Sequence, residues 1–311
     1  MRLVFAGTPA AALPTLRCLA AVHDIAVVVT RPDAPLGRRR VLTPSPVAAT
    51  AGELGLPVIG AARLDEEVTG QIAALRPDLG VIVAYGGLVR EPLLDIPTHG
   101  WINLHFSLLP AWRGAAPVQR ALIAGDVELG ASVFQLVPEL DAGDVFARQA
   151  FSVPSEATAD EALTLLAEAG AALTADVVGG IADGTARATP QTGTPTFAPK
   201  LDQTDGLLDW GQNADAVFAR FRGVTSEPGA HTTVGGQRVK ILGLARADSP
   251  EADEPIGPGV LRSVRGGVLV GTGTTPLLLT RVQPAGKGPM DAADWFRGLR
   301  PLDGVLPRAG R

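Results

Sequence analysis

Two short runs constrain the fold of this 311-residue chain more than any other feature. Ile25 to Thr30 and Leu79 to Ala84 are continuously apolar and rich in β-branched side chains, with no polar alternation. A strand of that composition is buried on both faces, as happens in parallel sheets covered by helices on both sides. The segments between them supply the helices: Pro14 to Val22, Ala48 to Leu54, and Glu66 to Leu75, with Pro57-Val58-Ile59 as a brief strand. Strands alternating with helices predict βαβ units and an α/β, Rossmann-like, mostly parallel sheet. Ligands of such sheets bind beyond the carboxyl ends of the strands.

The first turn excludes the commonest ligand of that fold. Phe5-Ala6-Gly7-Thr8-Pro9 has a single glycine where a dinucleotide site needs three, and Pro9 removes an amide N–H that a pyrophosphate would accept from. One cysteine, Cys18, excludes an internal disulfide and any cysteine-based metal cluster, and fits a reducing compartment. The four histidines (His23, His99, His105 and His231) show no metal-ligand spacing, so no metal is expected. Pro9, Pro14 and Arg17 interrupt the apolar N-terminus, which disfavours an export signal. No continuous run of about 18 apolar residues is found, so a soluble, cytoplasmic protein without a membrane span is expected.

The stretch Trp101 to Pro117 carries the most chemistry. Asn103 and His105 stand two apart in a short apolar run, so in a strand they project from the same face. An amide and an imidazole side by side can polarise a carbonyl and manage a proton. A lone asparagine or histidine is more often a turn former or a satisfied core residue; the pairing raises the functional reading. Pro117 to Ile123 then reads as a helix with proline in its first turn. Ala131 to Val137 and Val145 to Phe151 read as hairpin partners around the acidic turn Glu139 to Asp144. Asp141 and Asp144 are rival proton partners in that turn. Thr158 and Glu161 make a capping box for the longest helix, which ends near Gly184.

Composition changes after residue 184. Thr185 to Thr204 holds Pro190, Pro195 and Pro199 among many threonines and reads as an extended linker. Beyond it come a helix at Ala214 to Arg222 and short strand candidates separated by Gly-Gly turns. Met290 to Leu299 is the last helix candidate. The expected organisation is a catalytic domain at 1–184, a linker at 185–204 and a smaller OB-like β-barrel domain at 205–311. The net charge of −5 argues against a generally basic nucleic-acid coat. Arg31 to Arg40 departs from that average, with four arginines against one aspartate. Nucleic-acid contact is therefore expected to be local, and this loop, with four prolines around Gly37, is expected to be mobile.

Several motifs together resemble the folate-dependent formyltransferases. They are Asn103-Leu104-His105, Ser107-Leu108-Leu109-Pro110, Trp112-Arg113-Gly114-Ala115-Ala116-Pro117 and Leu140-Asp141-Ala142-Gly143-Asp144. Phe5 to Pro9, Arg31 to Pro46, Asp205-Gly206, Asp209-Trp210, Val282 to Lys287 and Arg297 to Arg300 extend the resemblance over the whole chain. Ala10 and Ala11 stand where the family carries an acidic residue and an aromatic. The resemblance implies formyl transfer from 10-formyltetrahydrofolate, with initiator tRNA carrying methionine as the other substrate and no metal. It implies catalytic roles for Asn103, His105 and Asp141, the last chosen over Asp144. It also implies a folate wall at Ser107, Leu108, Leu109 and Pro110, and tRNA contacts at Arg38, Arg39 and Arg40. A monomer is expected.

Overall fold

The structure is a computed structural model and describes residues 1–36, 40–247, 254–299 and 309–310. Its residues fall into two compact units, 1–117 with 128–153 and 163–198, and 118–127 with 154–162 and 199–311.

The first unit is built on strands β1 (Arg2–Gly7), β2 (Asp24–Thr30), β3 (Ala34–Leu36), β4 (Val41–Thr43), β5 (Val58–Gly60), β6 (Leu79–Val83), β7 (Trp101–His105), β8 (Leu129–Gln135) and β9 (Val145–Phe151). Seven of them form one sheet in the order β5-β2-β1-β6-β7-β8-β9. The first five are mutually parallel, and β8 and β9 return antiparallel. The continuous apolar runs are the central strands: β6 is buried throughout, and β2 from its second residue onward. Helices α1 (Leu13–Ala20), α2 (Pro46–Glu53) and α3 (Glu66–Ala74) accompany the parallel strands, as expected. Ser45 caps α2 through the Ala48 amide at 3.0 Å, and Asp65 caps α3 through the Val68 amide at 3.1 Å.

Helix α4 (Pro117–Ala124) follows the motif-rich loop, and α5 (Ala159–Ala182) is the longest helix among the described residues. The capping box at its start forms: the Thr158 amide donates to Glu161 at 2.8 Å, and these hydrogen bonds hold the Glu161 carboxyl below its ordinary range. Helix α5 corrects one expectation, because by length and composition it is apolar enough to cross a membrane. Leucines, valines and alanines, counted over a window that tolerates an acidic residue or two, reach what a search for an unbroken apolar run misses. One side of the helix lies in the protein interior, with Leu166, Ala171, Thr174 and Val178 buried. A Cβ at Gly170 would lie 2.9 Å from the Leu104 side chain of β7.

Two local features were not foreseen. The flanks of the basic loop pair as the hairpin β3–β4, with Ala34 opposite Thr43 and Leu36 opposite Val41. The prolines do not prevent this, since Pro35 sits in a two-stranded ribbon that is edge on both sides. In the 185–204 stretch, Thr189 bridges Val145 and Phe197 bridges Arg113, so its first part runs alongside the first unit.

The second unit contains α6 (Ala214–Gly223), β10 (His231–Val234), β11 (Gln237–Arg246), β12 (Leu261–Val264), β13 (Gly267–Val270), β14 (Leu277–Pro284), β15 (Met290–Asp291), α7 (Ala292–Arg297) and β16 (Ala309–Gly310). The final helix is shorter than expected because Met290 and Asp291 pair with β14. The strands form an antiparallel sheet, β12-β13-β14-β11-β10-β16, with β15 beside β14. Its two edges approach each other: β16 lies on β10, and the Ala309 amide donates to the Gly259 carbonyl, just before β12, at 2.7 Å. That near-closure gives the OB-like barrel, filled by Leu208, Trp210, Phe218, Phe221, Ile241, Leu279 and Trp295. Gly235 and Gly236, both at positive φ, make the two-residue β10–β11 turn.

Packing in the first sheet is tightest at Gly80, where a Cβ would lie 2.1 Å from the ring of Trp101. That ring is fully buried and anchored by Nε1–H to the Leu93 carbonyl at 2.9 Å, so it cannot step aside. Gly80→Ala is expected to destabilise the protein by on the order of 3 kcal/mol. Gly70→Ala, in α3 with open space around the new methyl, should instead stabilise by about 0.5–1 kcal/mol. Urea unfolding of the two variants checks both; equal effects would refute the packing argument.

Candidate active site

The site lies on one face of β7. Ile102 and Leu104 are buried on the opposite side, and Asn103 and His105 share the remaining face by strand alternation. His105 is almost fully buried, with its ring edge-on to Phe134 of β8. Asn103 is half-buried, and its Oδ1 is buried without a hydrogen-bond partner among the described residues. An unpaired buried amide oxygen costs about 1–3 kcal/mol, so this position sacrifices stability.

Two loops meet this face. The first, after β7, is bound by its own polar groups. Ser107 Oγ donates to the Ala111 carbonyl at 2.6 Å, and Ser132 Oγ donates to the Ser107 carbonyl at 2.7 Å. The Leu109 amide donates to Ser132 Oγ at 3.1 Å, and Arg148 donates to the Leu109 carbonyl at 3.2 Å. Ser107 and Leu109 are buried, while Leu108 and Pro110 are half-buried. Trp112, at a φ of +60°, turns its carbonyl to accept from His105 Nε2 at 2.8 Å.

The second loop leaves the far end of β7, where the Leu136 amide donates to the Trp101 carbonyl at 2.7 Å. Five residues later Asp141 has returned to His105. Its Oδ2 lies 3.8 Å from His105 Nδ1 and accepts the Gly114 amide at 2.7 Å. Asp141 sits at a φ of +47°. Gly143 tolerates no side chain, since a Cβ would lie 1.8 Å from the Gln135 carbonyl oxygen. The rival carboxylate, Asp144, is exposed, and its carbonyl is bound by the Gln135 amide at 2.8 Å.

These contacts fix the chemistry of the histidine. A carbonyl only accepts, so Nε2 carries a proton and Nδ1 is the basic nitrogen of the neutral ring. Burial pushes the His105 pKa below its ordinary value; the Asp141 charge and the Trp112 carbonyl pull it upward without overcoming burial. The arrangement can take one proton at Nδ1 and stabilise it with a carboxylate.

A cleft of about 380 Å³ opens beside the Asp141 turn, lined by Gln135, Val137, Glu139, Ala142, Gly143, Asp144 and Ala188. Of its walls the motifs pointed to Ala142, Gly143 and Asp144 but not to Val137 and Ala188, which carry no recognisable signal. They also did not reveal the Trp112 carbonyl or the Gly114 amide as partners, since backbone groups leave no mark in a sequence. Arg40 is exposed at the end of the basic segment, and Arg38 and Arg39 lie outside the described residues.

Known proteins agree with this architecture. The pattern of the formyl transferase family matches residues 2–178, and that of the formyl transferase C-terminal domain matches residues 200–300. The chain belongs to the formyl transferase family. A methionyl-tRNA formyltransferase of Leifsonia xyli subsp. xyli (strain CTCB07) is 60% identical over 298 residues, covering 96% of this chain and 97% of the relative. One from Clavibacter sepedonicus is 56% identical over 304 residues, covering 97% and 99%. Among solved structures, the N-formyltransferase of Helicobacter canadensis, in complex with folinic acid and dTDP-3-aminofucose, superposes with a TM-score of 0.68. Its identity is 15%, over 91% of this chain and 98% of that one, so this likeness concerns the fold.

The electrostatics make a direct prediction. The His105 Cε1 proton should titrate by NMR with a midpoint below 6.5, and Asp141→Asn should move that midpoint lower still. The sign follows because removing a negative neighbour removes an interaction that favours the imidazolium. An unchanged or higher midpoint in Asp141→Asn would refute the pairing.

Proposed function

We propose that this protein transfers the formyl group of 10-formyltetrahydrofolate to the amino group of methionyl-initiator tRNA, giving N-formylmethionyl-tRNA for translation initiation. The observation that carries the reading is the approach of Asp141 to His105 on the Asn103 face of β7, in a chain of the formyl transferase family. The names of its relatives support the substrate.

The amine attacks the formyl carbon directly, forming a C–N bond and a tetrahedral carbon bearing an oxyanion. The Asn103 side-chain Nδ2 donates N–H to that oxygen. The amine's proton passes to His105 Nδ1, free because Nε2–H is committed to Trp112. The imidazolium is balanced by Asp141, and its charge also favours the oxyanion. The oxyanion then collapses, the bond to folate N10 breaks, and N10 leaves with the proton held by the His105–Asp141 pair. One proton leaves the amine and one joins N10, with no covalent enzyme intermediate.

Leu108 and Pro110, backed by Ser107 and Leu109, form a wall for the folate, and the cleft beside Ala142 and Gly143 gives it room. Arg38, Arg39 and Arg40 contact phosphates of the tRNA acceptor end. Residues 1–184 form the catalytic domain and 205–311 a tRNA-binding domain joined through 185–204. The protein acts as a cytoplasmic monomer, without a metal ion or membrane insertion.

Incubation with 10-formyltetrahydrofolate and methionyl-initiator tRNA should yield the formyl-methionyl ester. Product from a small amine such as an amino sugar nucleotide, with none from tRNA, would overturn the reading. Asn103→Ala should lower turnover by about 10²–10³-fold with the fold intact, and near-wild-type turnover would sink the oxyanion role. Arg38→Ala should raise the KM for tRNA while leaving that for folate unchanged. Affinity for tRNA should fall as salt rises, because phosphate contacts release counterions; salt-independent binding would count against the basic loop.

A further inference from the structure

Gln191 lies in the proline- and threonine-rich stretch after α5, a segment with no catalytic motif. Its side chain nevertheless makes four hydrogen bonds to the loops that build the site. Nε2 donates to the carbonyls of Asp141 at 2.9 Å and Gly143 at 2.8 Å. Oε1 accepts from Arg113 Nε at 3.2 Å and Nη2 at 2.6 Å. The orientation of the amide is forced, because a guanidinium only donates and a carbonyl only accepts. Gln191 thus joins the loop after β7, through Arg113, to the loop that carries Asp141.

Both ends of this clasp are anchored. The Arg113 backbone accepts from the Ala198 amide at 2.7 Å and donates to the Thr196 carbonyl at 2.9 Å. At the other end, the turn needs external support. Asp141 holds a left-handed backbone that a residue with a Cβ adopts only at a cost. We propose that Gln191 is a positioning residue: it holds the 141–143 turn so that the Asp141 carboxylate reaches His105. The kinetic part of this inference rests on the proposed formyl transfer; the geometric part does not.

Gln191→Glu and Gln191→Leu test it. The glutamate keeps size and can pair with Arg113, but it sets one carboxylate oxygen, in place of Nε2, against two carbonyl oxygens; the leucine removes every hydrogen bond. Both should lower kcat by on the order of 10–100-fold, the scale expected when a catalytic group is displaced by about 1 Å, with KM for each substrate within about two-fold. Both should also lower the His105 titration midpoint toward that of Asp141→Asn, since the other group facing the ring at this contact is the neutral Trp112 carbonyl. A merely structural residue would reduce the folded fraction without moving that midpoint. Wild-type kcat and a wild-type midpoint in Gln191→Glu would overturn the proposal. If the wild-type enzyme formylates nothing, the proposed reaction fails, while the titration still decides whether Gln191 sets the Asp141–His105 contact.

Discussion

The distance between Asp141 and His105 is the constraint on which the site depends. His105 is nearly fully buried, and burial alone would leave it an inert neutral ring. A charge about 4 Å away is worth about 4 kcal/mol at an effective dielectric of about 20, enough to make proton uptake accessible but still below the full cost of burial. The pair therefore rests as neutral imidazole beside the carboxylate, a state suited to receiving a proton. Lengthening the contact by even an ångström or two would weaken that balance while leaving burial unchanged.

Holding this distance takes an unusual amount of backbone. The turn is fixed at its base on both sides, through the Leu136 amide on Trp101 of β7 and the Gln135 amide on Asp144 just before β9. The chain must then travel back along β7, a path of about 13 Å from Trp101 to His105 at strand geometry, within five residues. A left-handed Asp141 and a side-chain-free Gly143 make the reversal possible. The Gly114 amide then seats the carboxylate itself. Several polar groups of this region thus hold one another, and the amide oxygen of Asn103 is left over.

Sheet and helices were legible in the sequence because their signals are local. The β-branched runs became β2 and β6, the Thr158–Glu161 box capped α5, and Gly235-Gly236 made the β10–β11 turn. The strand period gave the shared face of Asn103 and His105. What escaped reading depends on tertiary contact or on weak local signals. The hairpin β3–β4 pairs segments that separately look like proline-rich coil. Gln191 is one of many polar residues in its stretch, and only its neighbours distinguish it. The membrane-length hydropathy of α5 arises from leucines, valines and alanines scattered among a few acidic residues, which form no unbroken apolar run.

The general rule for open α/β sheets also needs adjustment in this molecule. The strand order reverses between β1 and β6, and the crevice beyond their carboxyl ends is where ligands are expected. There, Thr8 Oγ1 donates to the Tyr85 carbonyl at 3.3 Å and Arg31 donates to the Gly86 carbonyl at 2.7 Å, so the loops tie to each other. The Asn103 and His105 pair stands one strand further on, with Asn103 in mid-strand rather than at a strand end. This displacement follows from the switch to antiparallel pairing after β7. A parallel neighbour would need a crossover that carries the chain away, whereas β8 lies directly against β7 and returns its following loop to the same strand. An antiparallel edge on a parallel sheet is thus what lets one strand supply Asn103 and His105 to the candidate site and its neighbour's loop supply Asp141.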